Sequence, residues 1–244
     1  MKFIQLNIWH GNLRYNLVSF LKKEDADIVS LQEVPAGLNS NFAYFGICDK
    51  LKKELNYKYS FYSPTMKGRF HGKTVSEGHL ILSKYPITYT HDFAIGGKVK
   101  NNSIFSDRES NTRVVQHAKI KAKGEVINII NYQGYFIWGT KEGNKITESH
   151  CQKILQYMNS LNPKEKIILS GDFNLTPKSK SLEIINRYYS NLVLKYRIKT
   201  TRNELSVPQE PVDNIFVNDK VQVKSLKVPK VYVADHLPMI MNFE

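Results

Sequence analysis

Several apolar runs in this chain end in polar side chains of one chemical kind, and they do so from one end of the sequence to the other. The first, Phe3-Ile4-Gln5-Leu6, delivers Asn7, and a second over residues 27–32 delivers Glu33. A third, over 166–170, leads to Asp172 and Asn174, and late segments bring Asp213 and the adjacent pair Asp235-His236. Runs of this length are strands buried on both faces. Strand ends hold such groups rigidly, and the loops between them leave room for a ligand.

The spaces between the runs are helical. Leu13, Leu17, Phe20 and Leu21 predict a helix over 12–23, another is expected over 42–55, and Ile146, His150, Ile154, Met158 and Leu161 predict one over 145–161. Further strands are expected at 2–8, 57–62, 79–83, 87–93, 212–217, 221–228 and 237–243. Val114–Ala122, Lys123-Gly124 and Val126–Asn131 form a hairpin signature, with Lys119, Lys121 and Lys123 alternating against Ala118, Ile120 and Ala122. Strand and helix alternate without a repeat or a Pro/Gly/Ser-rich linker, which argues for one α/β domain over 1–244. On the apolar stripe of the helix over 145–161, His150 and Cys151 read as core residues.

With 41% hydrophobic residues the chain has enough material for a sizeable core. No apolar run approaches membrane-spanning length, so no stable membrane insertion is expected. The N-terminus reads as a strand rather than a leader. Two cysteines, Cys48 and Cys151, form no disulfide framework, which suits a reducing, cytoplasmic setting. The formal net charge is +13, suggesting an acidic partner such as nucleic acid. Lys supplies 28 of the 35 basic residues and Arg only 7. Lys is a solvated point charge rather than a phosphate fork, so a merely solvated basic face stays open as the alternative.

A hard cation such as Mg²⁺ takes oxygen ligands, usually one or two protein carboxylates with water and substrate phosphate. The strand-end residues suit that role together. Taken singly, Asn7 also fits a turn, Glu33 before Val34-Pro35 fits an exposed strand terminus, and Gly171-Asp172-Phe173-Asn174 fits plain turn chemistry.

In their order they resemble the endonuclease/exonuclease/phosphatase superfamily. The matching pieces are Leu6-Asn7-Ile8-Trp9, Ser30-Leu31-Gln32-Glu33-Val34, Ile81-Leu82-Ser83-Lys84-Tyr85-Pro86, Ser170-Gly171-Asp172-Phe173-Asn174, Val212-Asp213-Asn214-Ile215-Phe216 and Ala234-Asp235-His236-Leu237-Pro238. They span almost the whole chain. The resemblance implies a four-layered α/β sandwich, with two central mixed, mainly antiparallel sheets flanked by helices. It implies Glu33 as the main ligand of Mg²⁺ (or Mn²⁺), with Asn7 and Asp235 as ligands or close neighbours. Asp172 would orient or deprotonate the attacking water, Asn174 would bind a phosphate oxygen, and His236, oriented by Asp213, would contact the scissile phosphate. Base and electrostatic clamp both remain open for that histidine.

One position departs from the family pattern. Where relatives carry Asn-x-His, this chain reads Asn131-Tyr132-Gln133, and Gln133 donates a hydrogen bond but carries no charge. Asn131 stays a candidate substrate contact. Arg113, opening a strand, and Arg202, in a loop, suit a bidentate phosphate clamp as well as they suit turn capping. Tyr132, Tyr135, Phe136 and Trp138 read as packing against the next helix, or else as a base-stacking surface.

The leading expectation is a monomeric, magnesium-dependent phosphodiesterase acting on DNA or RNA, as a nuclease or an end-processing repair enzyme. The alternatives are a phosphatase or phospholipase-type hydrolase of small phosphate esters or lipid head groups, and a weakly catalytic nucleic-acid-binding module.

Overall fold

The computed structural model describes residues 1–37, 45–96 and 113–244, with the backbone at 101–102. The strands are β1 Lys2–Asn7, β2 Ile28–Ala36, β3 Tyr59–Phe70, β4 Lys73–Ser83, β5 Ile87–Gly96, β6 Asn101–Asn102, β7 Arg113–Ala122 and β8 Glu125–Gln133. They continue as β9 Lys166–Asp172, β10 Ser190–Asn191, β11 Asp213–Val217, β12 Val223–Lys227 and β13 Met239–Phe243. The helices are α1 Arg14–Glu24, α2 Ile47–Glu54, α3 Lys145–Asn159, α4 Lys180–Asn186 and α5 Leu192–Lys195, with a 3₁₀ turn at Trp9–Gly11.

These strands make two mixed sheets, a seven-stranded one in the order β12-β13-β1-β2-β4-β3-β6 and a six-stranded one in the order β10-β11-β9-β8-β7-β5. Most neighbours are antiparallel. The parallel pairs are β1–β2, β3–β6 and β8–β9, and crossover helices α1 and α3 join the first and last of them. The hairpin expected between 114 and 131 is present. Lys123 (φ 52°) and Gly124 (φ 83°) form its two-residue turn, and Ala122 pairs with Glu125.

Alternation along the strands builds three apolar layers. Ile4, Leu6, Val29 and Leu31 face outward onto Leu17, Leu21, Ile47 and Leu51 of α1 and α2. Phe3, Ile28, Ile81, Ile127, Ile129, Ile168 and Ile215 face inward between the sheets. On the far side, Ile130, Tyr132 and Leu169 pack on Cys151, Ile154 and Met158 of α3 and on Leu182 of α4. Helices, sheet, sheet and helices thus form the four-layered sandwich. His150 belongs to this last layer, buried, with Nδ1 3.0 Å from the Tyr132 hydroxyl.

Some boundaries moved. β3 and β4 run well past the expected 57–62 and 79–83, as a ribbon of half-buried residues with no apolar alternation to mark it. α4 and α5 were not expected at all, because they are too short to show helical periodicity. Residues 42–44 of the helix expected over 42–55 lie outside the described residues.

The inter-sheet space changes character along its length. Above its apolar floor lies a buried chain of amides that stitches the sheets together. Gln5 Nε2 donates to Gln32 Oε1 (2.9 Å) and to Asp213 Oδ1 (3.0 Å), and Gln32 Nε2 donates to Asn131 Oδ1 (2.7 Å). Asn131 Nδ2 donates to the Leu31 carbonyl (2.9 Å) and to Gln116 Oε1 (3.0 Å). Gln116 Nε2 then reaches the carbonyls of Phe61 (2.9 Å) and His79 (3.2 Å). Buried polar networks with their partners in place fix one arrangement of the elements that carry them. The strand-end residues stand directly on this platform.

Candidate active site

Each strand-end side chain owes its position to the same parity. On β1, Phe3 and Gln5 point between the sheets, and so therefore does Asn7. On β9, Ile168 and Ser170 do the same for Asp172, and on β11, Val217 and Ile215 do so for Asp213. Glu33 breaks the pattern. It has φ 55° at a bulge where the β2–β4 register shifts between Leu31 and Val34, and the kink re-aims its carboxylate.

The loop after β9 is held against the end of β8 by two glycines. Gly171 has φ 153°, and a Cβ there would lie 1.8 Å from the Tyr132 carbonyl oxygen; one on Gly134 would lie 2.0 Å from that of Phe173. Only backbone without a side chain permits this approach. It is the physical reason for the glycine in Gly171-Asp172-Phe173-Asn174.

His236 is 3% exposed. Its Nδ1 lies 2.7 Å from Asp213 Oδ2 and its Nε2 lies 3.8 Å from Asp172 Oδ2. Asp213 Oδ2 also accepts from the Thr201 hydroxyl (2.6 Å), while its Oδ1 accepts from Gln5 (3.0 Å). Burial pulls the imidazole pKa down, but the charges of Asp213 and Asp172 outweigh it and raise the value to about 10. His236 is therefore an imidazolium at neutral pH, with its Nε2–H aimed toward Asp172.

Asp172 Oδ1 accepts from the backbone N–H of Asn174 (3.0 Å), a residue with φ 55°. The Asn174 amide donates to the Gly134 carbonyl at 3.4 Å, and its Oδ1 lies 3.5 Å from Nη2 of Arg202. Arg202 is 7% exposed and forms a β-bridge with His236, and its Nε has no hydrogen-bond partner among the described residues. Arg113 donates from Nε to the Gly134 carbonyl (2.9 Å), buttressing the same turn.

Glu33 Oε1 accepts from Asn7 Nδ2 (2.9 Å) and Gln133 Nε2 (2.6 Å), and His10 lies 3.4 Å from Oε2. His10 also lies 2.8 Å from Glu77. Burial lowers the His10 pKa, and the bond to Glu77 with the charge of Glu33 overcomes it, giving about 9. Burial pushes Glu33 and Asp235 upward from the usual carboxylate range. Asp235 Oδ1 is buried and lacks a donor among the described residues, an unmet need that a cation would satisfy.

These oxygens fit a hard divalent ion. Glu33, Glu77 and Asp235 all act electrostatically on His10, so they share one rim, and their donors are the kind Mg²⁺ or Mn²⁺ takes. Asp172, Asp213 and His236 also bring ligand-type atoms within 4.8 Å of one another. Asp213 has both oxygens occupied by donors and is 0% exposed, so that trio is better suited to moving and orienting protons than to holding an ion.

The structure thus brings together Asn7, Glu33, Gln133, Asp172, Asn174, Arg202, Asp213, Asp235 and His236. Gln133 and Asn131 differ from the roles that the resemblance suggested, and Asn7 takes one of the two left open for it. Asn7 turns its Nδ2 toward Glu33 (2.9 Å) and Asp172 (3.2 Å) and its oxygen to the Trp9 N–H (3.0 Å), which is the close-neighbour role: it orients the carboxylates. Gln133 spends its amide on Glu33 rather than presenting it to a phosphate. Asn131 is 0% exposed with its amide fully engaged, and so belongs to the platform, out of a substrate's reach.

Sequence reasoning missed Gln5, Gln32, His10, Glu77 and Thr201. Gln5 and Gln32 had a signal, as polar residues at inward positions of buried strands. Thr201 lies in a loop and had none. Of the aromatics grouped at the end of β8 and in the loop beyond it, Tyr132 is buried on the strand, whereas Phe136 and Trp138 are 41% and 82% exposed rather than packed on α3.

Comparison with solved structures finds the same fold. An endonuclease/exonuclease/phosphatase from Bacteroides vulgatus superposes with a TM-score of 0.75 at 20% identity, covering 100% of this chain and 98% of its own. A mannosyl-6-phosphatase from Bacteroides thetaiotaomicron gives 0.72 at 18% identity, covering 100% and 99%. The human Nocturnin catalytic domain gives 0.71 at 14%, covering 100% and 93%. A search of curated proteins returned no significant match. A family model matches residues 4–236, and with the fold and the strand-end site it places the chain in the endonuclease/exonuclease/phosphatase family, whose members hydrolyse phosphoesters.

Proposed function

We propose that this protein is a divalent-metal-dependent phosphodiesterase acting on nucleic acid, as a nuclease or an end-processing enzyme. The observation that carries the chemistry is the line Asp213–His236–Asp172: a buried carboxylate holds a histidine as a cation 3.8 Å from a second carboxylate. The net charge of +13 supports the substrate class.

In this reading Asp172 accepts the proton of the attacking water, with its carboxylate fixed by the Asn174 N–H and by Asn7. The imidazolium of His236 donates through Nε2 to a phosphate oxygen, offsetting charge that builds in the transition state. Asp213 and Thr201 keep that ring oriented and charged. Arg202 lies against Asn174, where a non-bridging oxygen would meet both donors. Glu33, steadied by Asn7 and Gln133, and Asp235 would hold Mg²⁺ or Mn²⁺. The ion would supply Lewis-acid polarisation of the phosphoryl group.

The test is incubation with labelled single- and double-stranded DNA and RNA, with Mg²⁺ or EDTA, beside Glu33→Ala and Asp172→Asn. Metal-dependent cleavage lost in both variants is the expected result. A protein that leaves every nucleic acid intact but releases phosphate from soluble esters would instead be a phosphatase. Salt-sensitive binding with no turnover would leave only the weakly catalytic binding module.

A further inference from the structure

Lys141 has no role in the chemistry above, yet its position calls for one. It lies in the loop before α3 and is 8% exposed, and its Nζ is buried with no hydrogen-bond acceptor among the described residues. What it has instead is the Phe136 ring, whose centroid lies 4.0 Å from the ammonium. Moving an ammonium out of water costs far more than one cation–π contact returns. Burial, helped by the Arg202 guanidinium, pushes Lys141 below the usual lysine range against the opposing charges of Asp172 and Glu210, neither of which bonds its ammonium. An unpaired buried cation beside a second cation is a pair of donors waiting for an anion.

The surroundings tie this pair to the site. The Lys141 carbonyl accepts from the Thr176 N–H (3.0 Å), two residues beyond Asn174, and Asn174 is the residue that Arg202 touches. Arg202 contributes a second orphan, its buried Nε. Phe136, the ring over Lys141, belongs to a stretch outside any strand or helix, and it meets Trp138 edge-on at 5.3 Å. Trp138 is 82% exposed, an indole face with almost no protein against it.

We propose that Lys141 and Arg202, with Trp138 beside them, form a subsite for the nucleotide next to the scissile phosphate in a single-stranded nucleic acid. Lys141 and the orphaned Nε of Arg202 take that nucleotide's phosphate, while Arg202 Nη2 stays with Asn174 at the scissile one, and Trp138 stacks on the base. Phe136 swings off the ammonium as the phosphate arrives, so the cation–π contact serves only the free protein. A flanking anion alone would need no aromatic, and a bare aromatic would need no buried cation. A nucleotide uses both at once. This assignment rests on the substrate class proposed above.

Binding is measured in EDTA by fluorescence anisotropy, with labelled oligothymidylate of eight residues and an abasic phosphodiester strand of the same length. Lys141→Met should weaken both ligands and reduce the slope of log Kd against log salt by about 0.7, one phosphate contact. Its melting temperature should hold or rise, because an unpaired buried charge is gone. Trp138→Ala should weaken oligothymidylate by about 5- to 100-fold and leave the abasic strand unchanged. The oligothymidylate should quench tryptophan emission in the wild type but not in that variant.

Unchanged affinities in both variants, or a Trp138→Ala loss equal for both strands, would overturn the subsite. If the wild type still cleaves the strand with Mg²⁺ under that outcome, the proposed function survives and this inference alone falls. The expected binding pattern without cleavage would keep the subsite and remove the phosphodiesterase reading. Neither binding nor cleavage would remove both.

Discussion

Replacing Asp213 by Asn tests whether His236 is held as a cation, and the structure sets the size of the effect. His236 has a pKa of about 10 in the fold against an ordinary value of 6.5. Between those values the native state holds one proton that the unfolded chain has released. Stability therefore falls with rising pH by about 1.4 kcal/mol per unit through this group. The contribution is complete below about pH 6.5 and is lost as pH rises through about 10. At pH 7 it is on the order of 4 kcal/mol, a ceiling for the substitution because Asp172 and Asp235 still face the ring.

Asn adds a cost that does not depend on pH. The Thr201 hydroxyl accepts from the N–H groups of Val212 and Asp213, so its own proton must go to the residue 213 side chain. Gln5 donates to the other oxygen of Asp213. Whichever way the new amide turns, its NH₂ meets a donor, at about 1–3 kcal/mol. Urea unfolding at pH 7, 8 and 9 in EDTA reads both terms. The gap between wild type and Asp213→Asn should be widest at pH 7 and narrow as pH rises. His10, raised to about 9, titrates in both proteins and cancels in the difference. Parallel stability profiles would refute the held imidazolium. Turnover of Asp213→Asn should fall by about 10²–10⁴-fold.

Gln133→Ala removes one of the two amides that hold Glu33 Oε1, so Mn²⁺ affinity measured by calorimetry should drop about 10- to 100-fold with the fold intact. Asn131→Ala leaves Gln32 Nε2 and Gln116 Oε1 without a buried partner and should cost about 2–5 kcal/mol in urea unfolding. His79 lies buried with its pKa pushed down to about 3, mainly by burial. It stays neutral in the fold while the unfolded chain takes up a proton below pH 6.5. Acid stability therefore falls through this group from about pH 6.5 toward 3, and His79→Gln should flatten that limb by about 1.4 kcal/mol per pH unit.

The sequence by itself determined an α/β domain and the polar residues that end its buried strands, because both follow from short-range rules; the four-layered sandwich was implied only by the family resemblance. A buried strand shows its length in apolar residues, and its last polar residue marks where the core ends. Asn7, Glu33, Asp172, Asp213 and the Asp235-His236 pair were legible on that ground. Parity also carried a readable hint of the amide platform in Gln5 and Gln32. Tertiary structure alone decided what those side chains face. Asn131 became platform, and Gln133 became a brace for Glu33, because strands remote in sequence, β2 and β8, bring residues 32 and 131 and residues 33 and 133 together. Arg202 could be singled out from sequence as a phosphate clamp, but nothing local marks Lys141, 61 residues away in another loop, as its neighbour. Hydrogen-bond partners and buried charges depend on which elements meet across the core. That is a property of the packed chain and not of any segment within it.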